Sequence, residues 1–218
     1  MNKSILILLI SLLSLSIYDI FVKDRLDFST PAAVKDSKSC VNLNEKETFS
    51  CLTAVHNAGN ATGNDLFILG QMYLQGIGTE QNIDSAIKLL ELNAIEHNTS
   101  DAMVLLGDLM INNDPLSATY WYSRAVNNND PSAQLKLAQI YRYGEEKMQN
   151  PALAFELYKA ATNAGSLTAQ YELALMYAMG IGTTPNLDRS LFMLEKPCDQ
   201  GHQESCALLN KIQELRMQ

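Results

Sequence analysis

A short string recurs four times along this chain: LGQMY from Leu69 to Tyr73, LGDLM from Leu106 to Met110, LAQIY from Leu137 to Tyr141 and LALMY from Leu173 to Tyr177. Its small residue steps 37 positions from Gly70 to Gly107, 31 to Ala138 and 36 to Ala174. A period of that length is one helix-turn-helix unit, which cannot bury its apolar face alone and must stack on copies of itself. No segment alternates with period two, so no sheet is expected. The expected fold is therefore all-α, a right-handed superhelical solenoid of stacked hairpins beginning near Asp65, Asp101, Pro131 and Thr168.

Each marker string precedes a loop and a second helical pattern: Ile83 to Ile95, Leu116 to Val126, Ala152 to Ala161 and Leu187 to Leu194. Helix starts are punctuated by Asp114-Pro115, Asp130-Pro131 and Asn150-Pro151. In each pair a capping side chain stands before a proline whose missing N–H would be unsatisfied in the first turn anyway. The last pattern is expected to be interrupted by Pro197. Upstream, FSCLTAVHNAGN from Phe49 to Asn60 parallels FELYKAATNAGS from Phe155 to Ser166 and reads as a second helix standing alone. Residues Asn44 to Ala58 and Ser205 to Arg216 are accordingly expected to cap the two ends of a solenoid domain spanning 44–218.

The N-terminus has a different character. Lys3 precedes a run from Ile5 to Ile17 built only of Ile, Leu and Ser. Such a run spans about 20 Å as a helix against roughly 30 Å of hydrocarbon, so residues 1–22 read as a secretory signal, or as an N-terminal anchor if the run extends through Tyr18 to Val22. Residues 23–43, with charge, Ser and Pro but no periodicity, read as a linker. The expected location is the periplasm or the exterior, with an inner-membrane anchor facing the periplasm as the alternative. A net charge of -8 and a pI near 4.8, with no cluster of Lys and Arg, exclude a nucleic-acid surface.

Four cysteines, Cys40, Cys51, Cys198 and Cys206, follow the apolar run, and an even number in an exported chain points to disulfides. Three connectivities exist, of which pairing sequence neighbours is the simplest. Absence of C-x-x-C, with His56, His97 and His202 scattered, leaves no expected metal site. Nor is a catalytic residue or a cofactor expected. No nucleophile stands beside a base, and Gly76-Ile77-Gly78 and Gly180-Ile181-Gly182 follow helices where a phosphate loop would follow a strand.

At these residues the chain resembles the Sel-one-like repeat family, relatives of tetratricopeptide repeats with a longer loop inside each hairpin. Gly70 and Tyr73 followed by Gly76-Ile77-Gly78, and Ala174 and Tyr177 followed by Gly180-Ile181-Gly182, match the family's LGxMYxxGxG string, with Asp84 and Asp188 shortly after. The second copy lacks this loop and the third has only Gly144, so both middle hairpins are expected to be of the shorter form. A cysteine-rich branch of the family ties one hairpin to the next through cysteines eight positions apart, the separation of Cys198 and Cys206. The resemblance implies that bond; Cys40 and Cys51, eleven apart, do not fit its spacing.

The resemblance also implies a non-catalytic function, with a protein or peptide held on a concave face lined by the first helices. Carried onto this chain, the exposed row is Gln71 and Leu74, Asp108 and Ile111, Gln139 and Arg142, and Leu175 and Ala178. Mixed polarity suits a protein partner. Two uses are expected: an exported scaffold, or an immunity protein that occludes a toxic secreted effector such as a phospholipase of a contact-dependent (type VI) secretion system.

Overall fold

The computed structural model describes residues 36–216, and the apolar N-terminal run lies outside them. Among the described residues there is no strand. Ten α-helices are present: α1 (Glu45–Asn57), α2 (Gly63–Gln75), α3 (Ile83–Glu96), α4 (Ser100–Met110), α5 (Pro115–Asn127), α6 (Pro131–Tyr143), α7 (Pro151–Asn163), α8 (Leu167–Met179), α9 (Leu187–Asp199) and α10 (Gln203–Arg216). They fall into two compact units, divided after Ala61. None is long and apolar enough to cross a membrane.

In the first unit a 3-10 turn, Ser37–Cys40, is tied to α1 by the Cys40–Cys51 disulfide, with the Cα atoms 5.7 Å apart. The described part of the expected linker is thereby held to a helix. Asn44 opens α1 with a reciprocal cap: its Oδ1 accepts from the Glu47 amide at 3.0 Å, and Glu47 Oε2 accepts from the Asn44 amide at 3.3 Å.

In the second unit each helix packs on the next in sequence, from α2 through α10, giving four hairpins and a closing helix. The hairpins begin at Gly63, Ser100, Pro131 and Leu167, each within two residues of expectation. All three Asp-Pro and Asn-Pro caps form. Asp114 accepts from Ser117 N at 3.1 Å, Asp130 from Ala133 N at 2.8 Å and Asn150 from Leu153 N at 3.1 Å. Gly76 and Gly180 end their helices at φ 70° and 69°, a conformation in which a side chain would be strained.

Close approach of the two helices in a hairpin depends on small residues. Ala86, Ala118, Ala154 and Ser190 occupy one position of the four second helices and are fully buried. Opposite them, a Cβ added at Gly70 would stand 3.2 Å from Leu90, and one at Gly107 would overlap the Tyr122 ring. Cores then run across hairpin boundaries. Leu90 and Ala94 of α3, Met103 and Leu106 of α4, Trp121 and Ala125 of α5 and Ala133 of α6 form one cluster. At the far end Ile212 of α10 joins Ala174 and Leu194, with Leu208 and Leu209 packed alongside, so α10 covers the last hairpin.

Two expectations are corrected. The second hairpin has the short form, with 111–114 joining its helices, but the third does not. Its loop carries a 3-10 turn at Glu146–Met148, and the Asn150 amide donates to Tyr141 O at 2.8 Å. The same closure joins Asn82 to Tyr73 and Asn186 to Tyr177, at 2.9 and 2.7 Å. A 3-10 turn thus replaces the left-handed glycines. The second correction is at Pro197, which lies buried inside α9 without ending it. Proline deprives the Met193 carbonyl of its helical donor. Gln170 of α8 supplies the substitute, its Nε2 donating to Met193 O at 2.8 Å. The Cys198–Cys206 disulfide, Cα atoms 4.7 Å apart, joins α9 to α10 as the resemblance implied.

Candidate binding groove

The first helices α2, α4 and α6 present three adjoining cavities. The largest, about 460 Å³, is lined by Asp108 and Ile111 from the α4 end, Tyr122 from α5, and Lys136, Gln139, Ile140, Tyr143 and Gly144 from the α6 end. A second, of about 240 Å³, lies among Phe67, Gln71, Asp101, Val104, Leu105, Asp108, Asp130 and Ser132. A third, of about 150 Å³, is enclosed by Gly63, Asn64, Phe67, Asn93, Thr99 and Asp101. Asp108 belongs to the first and second, and Phe67 and Asp101 to the second and third. Shared walls make them one groove.

Asp108 is its organising charge. Because Gly107 has no side chain, the Tyr122 ring lies over the α4 backbone and its hydroxyl donates to Asp108 Oδ1 at 2.6 Å. Lys136 Nζ stands 2.8 Å from the same oxygen. Burial, reinforced by that carboxylate, pushes the Tyr122 phenol well above its usual range, so it stays a neutral donor. Among the described residues Lys136 is the sole cation lining these three cavities, against Asp101, Asp108 and Asp130. One Asp130 oxygen caps α6. Asp101 has no polar partner among the described residues.

Of the expected row, the structure brings Gln71, Asp108, Ile111 and Gln139 into the groove. Leu74 packs on the cluster around Leu90, and Ala178 on that around Leu194. Leu175 is half-buried and lines none of the three cavities. Arg142, expected to be exposed, is not: its side chain is 5% exposed, with Nε 3.4 Å from Glu172 Oε2 and the guanidinium 4.8 Å from the centre of the Tyr143 ring. Tyr143 donates to the same Glu172 oxygen at 2.7 Å. Its phenol is raised, first by burial and then by that bond.

Phe67, Val104 and Lys136 lie three or four residues before members of the row, so helical periodicity carries a signal for them. Tyr122 and Asn93 come from second helices, and nothing local marks them. Among the described residues no group of His, Cys, Asp and Glu is placed to hold a metal ion.

Known proteins fit this architecture. A protein of Neisseria meningitidis serogroup B is 26% identical over 133 residues, 61% of this chain and 28% of its own length. An SLR-fold protective antigen present in uropathogenic Escherichia coli strains superposes at a TM-score of 0.73 with 23% identity, covering 80% of this chain and 38% of the antigen. A Sel1 repeat protein from Oxalobacter formigenes gives 0.66 and 25%, covering 78% and 49%. This chain thus spans less than half the length of each. The Sel1 repeat model matches residues 66–92, 100–130, 131–166 and 167–202; each segment holds one marker string, and the last three hold the whole second helix while the first ends within α3. The chain belongs to the Sel1 repeat family.

Proposed function

We propose that this protein is an exported, non-catalytic scaffold that holds a protein partner in the groove formed by α2, α4 and α6. The observation that carries it is the continuity of three cavities across three successive hairpins, with apolar walls at Phe67, Leu105 and Ile140 and polar groups at Gln71, Asp108 and Gln139. Apolar walls with a few placed polar groups are what a binding site needs. Two disulfides suit an oxidising compartment outside the cytoplasm, which supports reading residues 1–22 as a signal and the periplasm or exterior as the location.

The alternative use, occlusion of a toxic secreted effector, engages the same face and differs only in what the partner does. A photo-crosslinking residue at position 71 or 139 tests both. Crosslinking in the native compartment should join one and the same protein to both positions and not to position 156, which is exposed on the second helix α7. A lipase-like toxin among the products would select the immunity role. Equal crosslinking at position 156 would refute the groove.

A further inference from the structure

Asn93 is fully buried, yet neither its Oδ1 nor its Nδ2 has a hydrogen-bond partner. In the other second helices its position holds Ala125, Ala161 and Pro197. The first hairpin therefore buries an amide where its siblings bury apolar atoms, and such an amide destabilises the fold until something pairs with it. Beside it Thr99 Oγ1 is also buried without a partner. Thr99 stands at the N-cap of α4 but makes no capping bond, whereas Thr62, Asp130 and Ser166 cap the other first helices. Space for these groups exists because position 63 is Gly: a Cβ there would lie 2.9 Å from Asn93 Oδ1.

Asn93 and Thr99 stand at the end of the groove, around the cavity that shares Asp101 and Phe67 with the acidic middle section. An Asn amide offers both donors and an acceptor, the complement of a peptide group. Main-chain groups of a helix are already bonded to one another, so the amide selects a segment in extended form. Next to it the middle cavity presents Asp101, without a partner among the described residues, and Asp130, with one oxygen used; the cation that lines the groove, Lys136, is already held by Asp108.

We propose that the groove takes an extended cationic polypeptide segment, its main chain paired with Asn93 and a Lys or Arg side chain held between Asp101 and Asp130. This rests on the groove being the protein-binding site and adds the chemistry of its occupant.

The test is selection of a random linear peptide library on the full chain. Recovered peptides should be enriched in Lys and Arg. They should bind Asn93→Ala about tenfold more weakly, the size of one lost hydrogen-bonded contact. They should also lose affinity for Asp101→Asn/Asp130→Asn, a pair in which the amide introduced ahead of Pro131 can still cap α6. Asn93→Ala should melt above the parent, because Ala is the residue its siblings use; a gain in stability with a loss of binding is not what a structural residue shows. Recovery of no peptides, or undiminished binding to Asn93→Ala, would overturn the inference. Peptides without cationic enrichment that still lose affinity for Gln71→Ala/Gln139→Ala would overturn it while leaving the groove standing; indifference to that pair would overturn both.

Discussion

Gln170→Ala should expose how α9 survives a buried proline. Pro197 cannot donate to Met193 O, and Gln170 Nε2 does so at 2.8 Å in a part-buried setting. Removing the amide leaves that carbonyl unpaired, at a cost of about 1 to 2 kcal/mol, or roughly 2 to 8 °C in melting temperature for a domain of this size. A second background makes the reasoning exposed to failure. In Pro197→Ala the restored amide at position 197 can serve Met193 O, and Ala fits because Ala125 and Ala161 hold the same position. Gln170→Ala should then cost roughly 0.5 kcal/mol or less, a coupling of about 1 kcal/mol across the cycle. The gain in unfolded-chain freedom on losing proline enters both arms and cancels. Urea unfolding followed by circular dichroism gives the energies. Hydrogen exchange of α9 and α10 locates them, which matters because repeat arrays open piecewise. An equal cost in both backgrounds would refute the substitution of Gln170 for the missing helical donor.

Three further outcomes are expected. Replacing Cys198 and Cys206 with Ser should lower stability by about 2 to 3 kcal/mol and speed exchange in α10 above all; free thiols at both positions in protein from its native compartment would contradict the bond. Gly107→Ala should destabilise by roughly 1 to 3 kcal/mol through overlap with the Tyr122 ring, and a melt equal to the parent's would show that the ring relaxes freely. The Asp114 carboxyl is held below its usual value, first by the Ser117 hydroxyl and then by the Ser117 amide. A depressed carboxylate contributes stability above its unfolded pKa, about 3.9, and loses it as pH falls through the lower folded value. Asp114→Asn, still a cap, should therefore flatten part of the acid limb of the stability profile; an unchanged limb would remove this contribution.

Sequence by itself determined the repeat, the helices and their ends. The bonds that set these features join residues a few positions apart, as Asp114 to Ser117 or the Tyr141 carbonyl to Asn150. Even there the third hairpin was misread, because a glycine pattern stood in for loop length while a 3-10 turn achieves the same closure. The family resemblance, carried onto these repeats, also set Gln71, Asp108, Ile111 and Gln139 on the face that carries the groove. It failed at Arg142, since the carboxylate of Glu172 that draws this guanidinium inward comes from the next hairpin. Pro197 failed because its missing donor is replaced from α8, the other helix of its own hairpin and 27 positions upstream in the chain. Tertiary structure alone decided that Tyr122 reaches Asp108 over a glycine and that Asn93 is buried unpaired beside Thr99. Those relations depend on how closely packed helices approach one another, within one hairpin for Tyr122 and Asp108 and across two hairpins for Asn93 and Thr99, and no local pattern in the chain expresses that distance.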